Sequence, residues 1–425
     1  MTAVGDALYA FVERLFPINR SITGPGLRQT LAIIGERIPL EITEIPSGTP
    51  VLDWTVPREW TLRDAFIADA AGRRIVDVRA SNLHVMGYST PVDATMRLDE
   101  LRPHLHSIPE HPTWIPYRTS YYAEAWGFCL ADEVLQRMDA GPYRVRIDST
   151  LAAGSLTYGE CILPGATDDE VILSAHVCHP SLANDNLSSI AIATFMASEL
   201  AQREHRYTYR ILFAPGTIGA IAWLAQHESA LGRIRHGLTL ACLGDRGPMT
   251  YKRTRRGDTV IDRAAAHVLT RRAPDAGVID FVPYGSDERQ FNSPGFDLPV
   301  GALSRTPYRQ YSEYHTSADD LDFVSADALE DSLGALRQIV DVLERDRTYT
   351  NLAPKGEPQL GRRGLYPVTD GPELARRQLT MLWVLNQSDG AHSLLDVAER
   401  SGMTFEELAD ASAALEAHDL LARDD

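Results

Sequence analysis

The chain has 425 residues, too long for one ordinary hydrophobic core, so its length predicts two or three domains. Its 41 Lys and Arg against 58 Asp and Glu give a formal charge of −17, which argues against nucleic acid or an anionic membrane as the main partner but not against a small or cationic ligand. Cys129, Cys161, Cys178 and Cys242 show no C-x-x-C spacing, no apolar run reaches the roughly 18 residues of a membrane span, and the first residues lack the pattern of a signal peptide. The sequence therefore predicts a cytoplasmic protein without disulfides.

Two amphipathic helices, at 5–16 and 26–37, open the chain, separated by the breaker-rich turn PINRSITGPG. A helix precedes RSITG, where a phosphate-binding turn needs a strand, so this stretch reads as a structural turn. Residues 38–142 switch to short alternating runs such as LEITEIP and RRIVDV, punctuated by Pro and Gly, and predict a β-rich module. Its Trp54, Trp60, Trp126, Tyr121 and Tyr122 can stack on sugars, but in a module of this size they are better read as core.

From 143 to 346 strand-like runs alternate with helix-length patterns, the signature of an α/β sheet covered by helices. EVILSAH ends at His176, YRILFAP at Pro215 and GLTLACLGD at Asp245. Ligands gather at the carboxyl ends of such strands, so these three ends mark one crevice. Residues 347–367 read as a linker, and 368–425 as helix, short helix and helix, a winged-helix pattern. From 368 on there are 4 Lys or Arg against 12 Asp or Glu, the wrong sign for phosphate contacts, so this unit is expected to contact protein. The apolar face of LTMLWVLN leaves a homo-oligomer open.

His176 and Asp185 in AHVCHPSLANDNLSS are ligand types that zinc accepts, one at a strand end and one opening a helix. On their own they read equally well as a hydrogen-bonded strand end and a helix cap. Asp245 closes another strand in the same crevice, and YSEYHTSADD puts Glu313 and His315 on one face of an extended segment. Together these residues make a site for one or two divalent ions.

The order SAHVCHPSLANDNLSS, FAPGTIGAIAWL, LGDRG, GSDERQFNSPGFDLP and EYHTSADDLDFV resembles a bacterial family with an aminopeptidase-like domain, often labelled polysaccharide biosynthesis protein. That family belongs with di-zinc exopeptidases of the aminopeptidase and glutamate carboxypeptidase type. RSITGPGLRQTL, LDWTVPREWTLRDAFI, IPYRTSYYAEAWGFC and LWVLNQSDGAHSLLDVAERSGM extend the resemblance over nearly the whole chain. It implies a mixed sheet flanked by helices, into which the β-rich module is inserted. It implies His176 as a terminal ligand of one zinc, Asp185 as a carboxylate bridging two, Asp245 as a partner of His176, and His315 as a ligand of the second ion.

In this class a glutamate after the middle strand takes a proton from metal-bound water. Relatives resemble P-E-T-I-G there, whereas this chain reads Pro215, Gly216, Thr217, Ile218, Gly219. Three readings follow. Glu313 takes the vacant role in an altered hydrolase of a small aminoacyl or amide substrate. One ion sits on His176, Asp185 and Asp245 and runs a different chemistry. Or the site is degenerate and the chain is a scaffold. His179 and Cys178 are a further ligand or orienting pair, or simply shape the loop. Asp287 and Arg289 line the pocket or form a solvated charge cluster. Arg305 holds a substrate carboxylate or makes a surface ion pair.

Overall fold

The computed structural model describes residues 3–366 and 372–424. One compact unit contains the residues up to Gly257 together with Asp275–Gly334, and the other contains Asp258–Pro274 and the residues from Ala335 on.

The first unit is built on an eight-stranded sheet. Its strands in chain order are β1 (Glu41–Pro46), β2 (Ser155–Leu163), β3 (Glu170–His176), β4 (Thr208–Ala214), β5 (Ile234–Leu240), β6 (Thr250–Lys252), β7 (Gly277–Ile279) and β8 (Val300–Ser304). They lie in the order β1-β2-β4-β3-β5-β8-β6-β7. The four central strands run parallel, and β1, β2 and β6 join antiparallel. Every residue of β3 is buried, which accounts for a continuous apolar run rather than an alternating one. Helix Ser189–Leu200 is buried along nearly its whole length and packs on this centre. Register sets the crevice: His176 pairs with Ala214, Ala175 with Leu240, and Leu240 with Leu303, so four strand ends lie level.

One charged cluster lies within the sheet. Arg210 on β4 bonds Glu170 on β3 at 2.7 Å and Glu160 on β2 at 2.5 Å, and Trp223 Nε1 donates to Glu160 at 2.8 Å. Each of these ionic side chains is buried and partnered, which such groups require.

The inserted module forms a second sheet in the order Arg74–Asp77, Glu59–Ala68, Tyr143–Ala152, Val92–Met96. Its limits differ from the sequence expectation of 38–142. LEITEIP became β1, an edge strand of the main sheet, and Tyr143–Ala152 pairs within the module over its whole length. β1 buries Ile45 alone, so little in LEITEIP marks it for the main sheet, whereas Tyr143–Ala152 alternates as a strand with one solvated face does and gives no sign of which sheet it joins. Trp60 is buried and stacked on Tyr88, as expected of core, whereas Trp54 and Tyr122 are exposed and touch each other edge to face.

In the second unit, helices Pro372–Gln387, Leu394–Ser401 and Phe405–Glu416 accompany a three-stranded sheet. Capping boxes at Ser393–Asp396 and Thr404–Glu407 start the second and third helices. The expected linker is corrected in part: Thr348–Asn351 is the central strand, between Asp389–Ser393 and Leu421–Asp424. The rest of that expected linker, 352–366, contains a short turn of helix at Gly361–Arg363, and its last residue, 367, lies outside the described residues. No helix among the described residues is long and apolar enough to cross a membrane.

Candidate metal centre

β3 ends at His176, and the chain then turns through Cys178, His179 and Ser181 into the irregular segment Ala183–Ser188. Asp185 lies in that segment with φ −110° and ψ 79°, outside helical geometry, and is buried. Asp319 fixes its backbone by accepting from the N–H groups of Asn184 and Asp185, at 2.5 and 3.0 Å. The Asp185 carboxylate is thereby aimed at three imidazoles. His176 Nε2 lies 3.0 Å from Oδ1, His315 Nε2 3.0 Å from Oδ2, and His179 Nδ1 3.3 Å from Oδ2. The two nitrogens of His176 and His179 are themselves 3.3 Å apart.

Electrostatics match this geometry. Burial opposes charge on Asp185, but the three histidines outweigh it and hold the carboxyl well below the usual carboxylate range. Burial likewise opposes charge on His179, and Asp185 with Cys178 pushes that imidazole well above its ordinary value. Asp319 goes the other way: burial, with Asp185 adding to it, pushes its carboxyl up to about 8. Four residues flanking the crevice, Ser181, Thr217, Cys242 and His315, have φ between 45° and 62°, although none is glycine. Such conformations cost about 1–3 kcal/mol each and gather where the fold must aim a group.

The sequence expectations are distributed unevenly over this site. His176, Asp185 and His315 are brought together as expected. Asp245 is not: Oδ2 accepts from Asn184 Nδ2 at 3.0 Å, and Oδ1 from Thr306 Oγ1 and the Gly247 N–H at 2.7 Å each. β5 ends at Leu240, and Cys242 rather than Asp245 follows at the strand end, where the Asp185 charge helps burial to raise its thiol pKa. The Glu313 carboxylate accepts from the Ser312 hydroxyl at 3.1 Å and has no contact with the three histidines among the described bonds.

Asp287 is buried and accepts from the Thr217 N–H at 2.6 Å, while burial pushes its carboxyl up against the pull of His176. Arg289 Nη2 reaches Thr217 Oγ1 at 3.3 Å, and its buried Nε has no hydrogen-bond partner. Both residues therefore border the Gly216–Thr217 side of the crevice. Arg305 does not enter it: its guanidinium bonds the Gly247 carbonyl and Asp331 at 2.8 Å each, the surface ion-pair alternative.

Several contributors escaped sequence reasoning, Asp319 and Tyr117 among them. Asp319 lies in the TSADD stretch, where a charge run looks like a solvated surface. Tyr117 comes from the inserted module; its N–H donates to the His315 carbonyl at 2.8 Å and its ring meets His179 and His315 edge-on at 5.2 and 5.1 Å. Spacing along the chain could not have brought residue 117 to residue 315.

His176, His179 and Asp185 offer ligand atoms all within 4.8 Å of one another, a donor set of the types zinc accepts, and His315 approaches the other oxygen of the same carboxylate. Gly216 supplies no carboxylate, but it has room for a Cβ. A Cβ there would meet Cys178 Sγ at 3.5 Å and His176 Cβ at 3.7 Å, ordinary contact distances.

Known proteins resemble this chain in sequence and fold. A protein of Clostridium acetobutylicum described as a polysaccharide biosynthesis protein with an aminopeptidase-like domain is 49% identical over 98% of this chain and 96% of its own. A crystal structure from that species, described as a peptidase, superposes with a TM-score of 0.94 at 48% identity, covering 99% of this chain and 96% of the other. A zinc aminopeptidase from Bacillus subtilis shares the fold, with a TM-score of 0.57 at 13% identity over 80% of this chain and 94% of its own. Residues 347–423 match the model of a winged helix-turn-helix. Residues 9–346 match the family described as a domain of unknown function (DUF4910), and the chain belongs to that family.

Proposed function

We propose that the chain is a metal-dependent hydrolase of the aminopeptidase-like fold, holding one zinc ion and acting on an amide or aminoacyl bond of a small metabolite. The observation that carries this reading is the convergence of His176, His179 and His315 on the buried Asp185 carboxylate. Bound zinc supplies a polarised carbonyl and a water of lowered pKa.

The chain's own residues supply the rest of the chemistry. Asp319 and Asn186 hold Asp185 and His176 in place: Asn186 Nδ2 lies 3.2 Å from His176 Nδ1 and 3.1 Å from the Leu240 carbonyl. Tyr117 and Tyr314 wall the histidines and keep bulk water off them, Tyr314 by stacking on His315 at 4.0 Å. Asp287, anchored on Thr217 beside the side-chain space of Gly216, is better placed than Glu313 to take the proton that a glutamate takes in related sites. Arg289, with an unpartnered buried Nε, is placed to meet an anionic group of the substrate.

The test is hydrolysis of simple aminoacyl amides by zinc-loaded protein and by Asp287→Asn. Turnover that falls about 100-fold or more in the variant is expected. Equal turnover in both removes Asp287 from the chemistry. Gly216 favours a second reading, a non-catalytic metal-binding scaffold of a biosynthetic pathway whose acidic winged helix contacts protein. Stoichiometric zinc without turnover on any amide would select it. Under either reading we place the protein in the cytoplasm, in keeping with four unpaired cysteines.

A further inference from the structure

Three of the four residues at the metal-type centre have an evident support. His176 is the last residue of β3 and pairs in its ladder, Asp319 fixes the Asp185 backbone, and the Tyr117 N–H holds the His315 carbonyl. His179 has no strand or helix beneath it, since it stands between the end of β3 and the irregular segment Ala183–Ser188. Its imidazole still reaches Asp185 Oδ2 at 3.3 Å, so a group from outside the loop must set it.

The RSITG turn provides that group. Arg20 is 1% exposed; its Nε donates to the His179 carbonyl at 2.8 Å, and Nη1 donates to the Leu15 carbonyl at 2.7 Å and the Thr30 hydroxyl at 3.3 Å. Among the described residues no carboxylate pairs with this guanidinium, and its Nη2 has no hydrogen-bond partner. Buried cations are ordinarily paired with an acid. Here the counter-charge is the carboxyl end of helix Ala3–Leu15, where the last carbonyls lack partners within the helix and carry the negative end of its dipole. The next two carbonyls belong to the same arrangement. Ser181 Oγ donates to Phe16 at 2.8 Å, and Asn82 Nδ2, from the inserted module, donates to Pro17 at 3.0 Å and to Ser181 Oγ at 2.7 Å. The helix end is thereby tied to the metal loop on both sides of Pro180.

We infer that Arg20 is the positioning residue of His179, holding the loop carbonyl so that the imidazole faces Asp185. A guanidinium is planar and rigid, so two carbonyls bonded to one fork keep a fixed separation. An apolar side chain of similar size would fill the space without burying a charge, but it could not tie the loop to the helix. The consequence for metal binding rests on the hydrolase reading above; the contact itself does not.

The experiment is a competitive chelator titration with zinc on the native protein, Arg20→Lys, His179→Ala and the double variant. Lysine keeps the charge and loses the fork. Zinc affinity is expected to weaken about tenfold in Arg20→Lys, with no further loss when the change is made in His179→Ala, because both act through one ring. No loss in Arg20→Lys, or a loss undiminished in the His179→Ala background, overturns the inference. Should the lysine variant not fold, Asn82→Ala carries the same test from a half-buried position: it releases Ser181 and is expected to weaken zinc about two- to tenfold, the worth of one hydrogen bond, only where His179 is present. Equal loss without His179, or none with it, overturns the inference as well. NMR of histidine-labelled, metal-free protein separates the two proposals. The His179 ring signals, assigned by their absence in His179→Ala, are expected to shift in Arg20→Lys or Asn82→Ala while those of His236, near the start of β5, stay. A shift shared by every histidine marks a general loss of structure and sinks the inference. Native protein that binds no zinc but shows the selective shift removes the hydrolase reading and leaves the positioning role.

Discussion

His179 distinguishes this centre from a site made of His176, Asp185 and His315 alone. It adds a third imidazole beside the Asp185 carboxylate, with Nδ1 3.3 Å from Oδ2. His179→Ala is therefore expected to weaken zinc binding by tenfold or more in a competitive chelator titration, with the folded far-UV spectrum retained; unchanged affinity would show that His179 only shapes the loop. The converse change adds a ligand. Gly216→Glu is expected to raise the metal content per chain, read by elemental analysis, because a Cβ there meets His176 and Cys178 only at ordinary contact distances. His176 was legible in the sequence because a strand pattern ends on it, Asp185 because it opens the helix pattern nine residues on, and His315 from its extended segment and the family resemblance. Asp245 misled for a physical reason. The apolar run GLTLACLGD reads as one strand to its end, yet β5 stops at Leu240 and the following turn carries Asp245 to Asn184 and Thr306.

At the scale of elements, the level ends of β3, β4, β5 and β8 place the site, and the ionic cluster of Arg210, Glu160 and Glu170 ties three neighbouring strands together. Replacing the cation alone leaves two buried carboxylates without a counter-charge. Arg210→Leu is expected to lower stability by about 3–5 kcal/mol in urea unfolding; a loss below about 1 kcal/mol would mean that water reaches the carboxylates. The central strands were readable from their continuous apolar runs. The edges of the inserted module were not, since β1 buries only Ile45 and Tyr143–Ala152 alternates without showing which sheet it joins. The strand Thr348–Asn351 was hidden for a similar reason: TYTN is too short to show a period, and its pairing partners lie about 40 and 75 residues away.

Across the whole molecule, each compact unit buries a histidine kept neutral. Burial pushes His236 in the first unit and His267 in the second down to about 4. Between about pH 6.5 and 4 the unfolded chain binds a proton at such a histidine that the folded chain refuses, so stability falls as pH falls through that window. For His236, 8% exposed, the loss amounts to about 3 kcal/mol at the acid end. Thermal unfolding of His236→Phe is expected to show a flatter pH dependence over that range than the native protein, and an unchanged slope would assign the acid sensitivity to other groups. The negative charge of the C-terminal helices, plain in the sequence, bears on partners in the same way: acidic surfaces repel phosphates and suit protein contacts.

The proposed hydrolase needs a metal ion held by the Asp185 carboxylate and the histidines around it. The most direct measurement is metal content with X-ray absorption at the zinc edge, on native protein purified without chelators and on His179→Ala. The expected result is one zinc per chain with three imidazole nitrogens and a carboxylate oxygen in its shell, and one imidazole fewer in the variant. Two ions per chain, or a shell unchanged by the substitution, would contradict it.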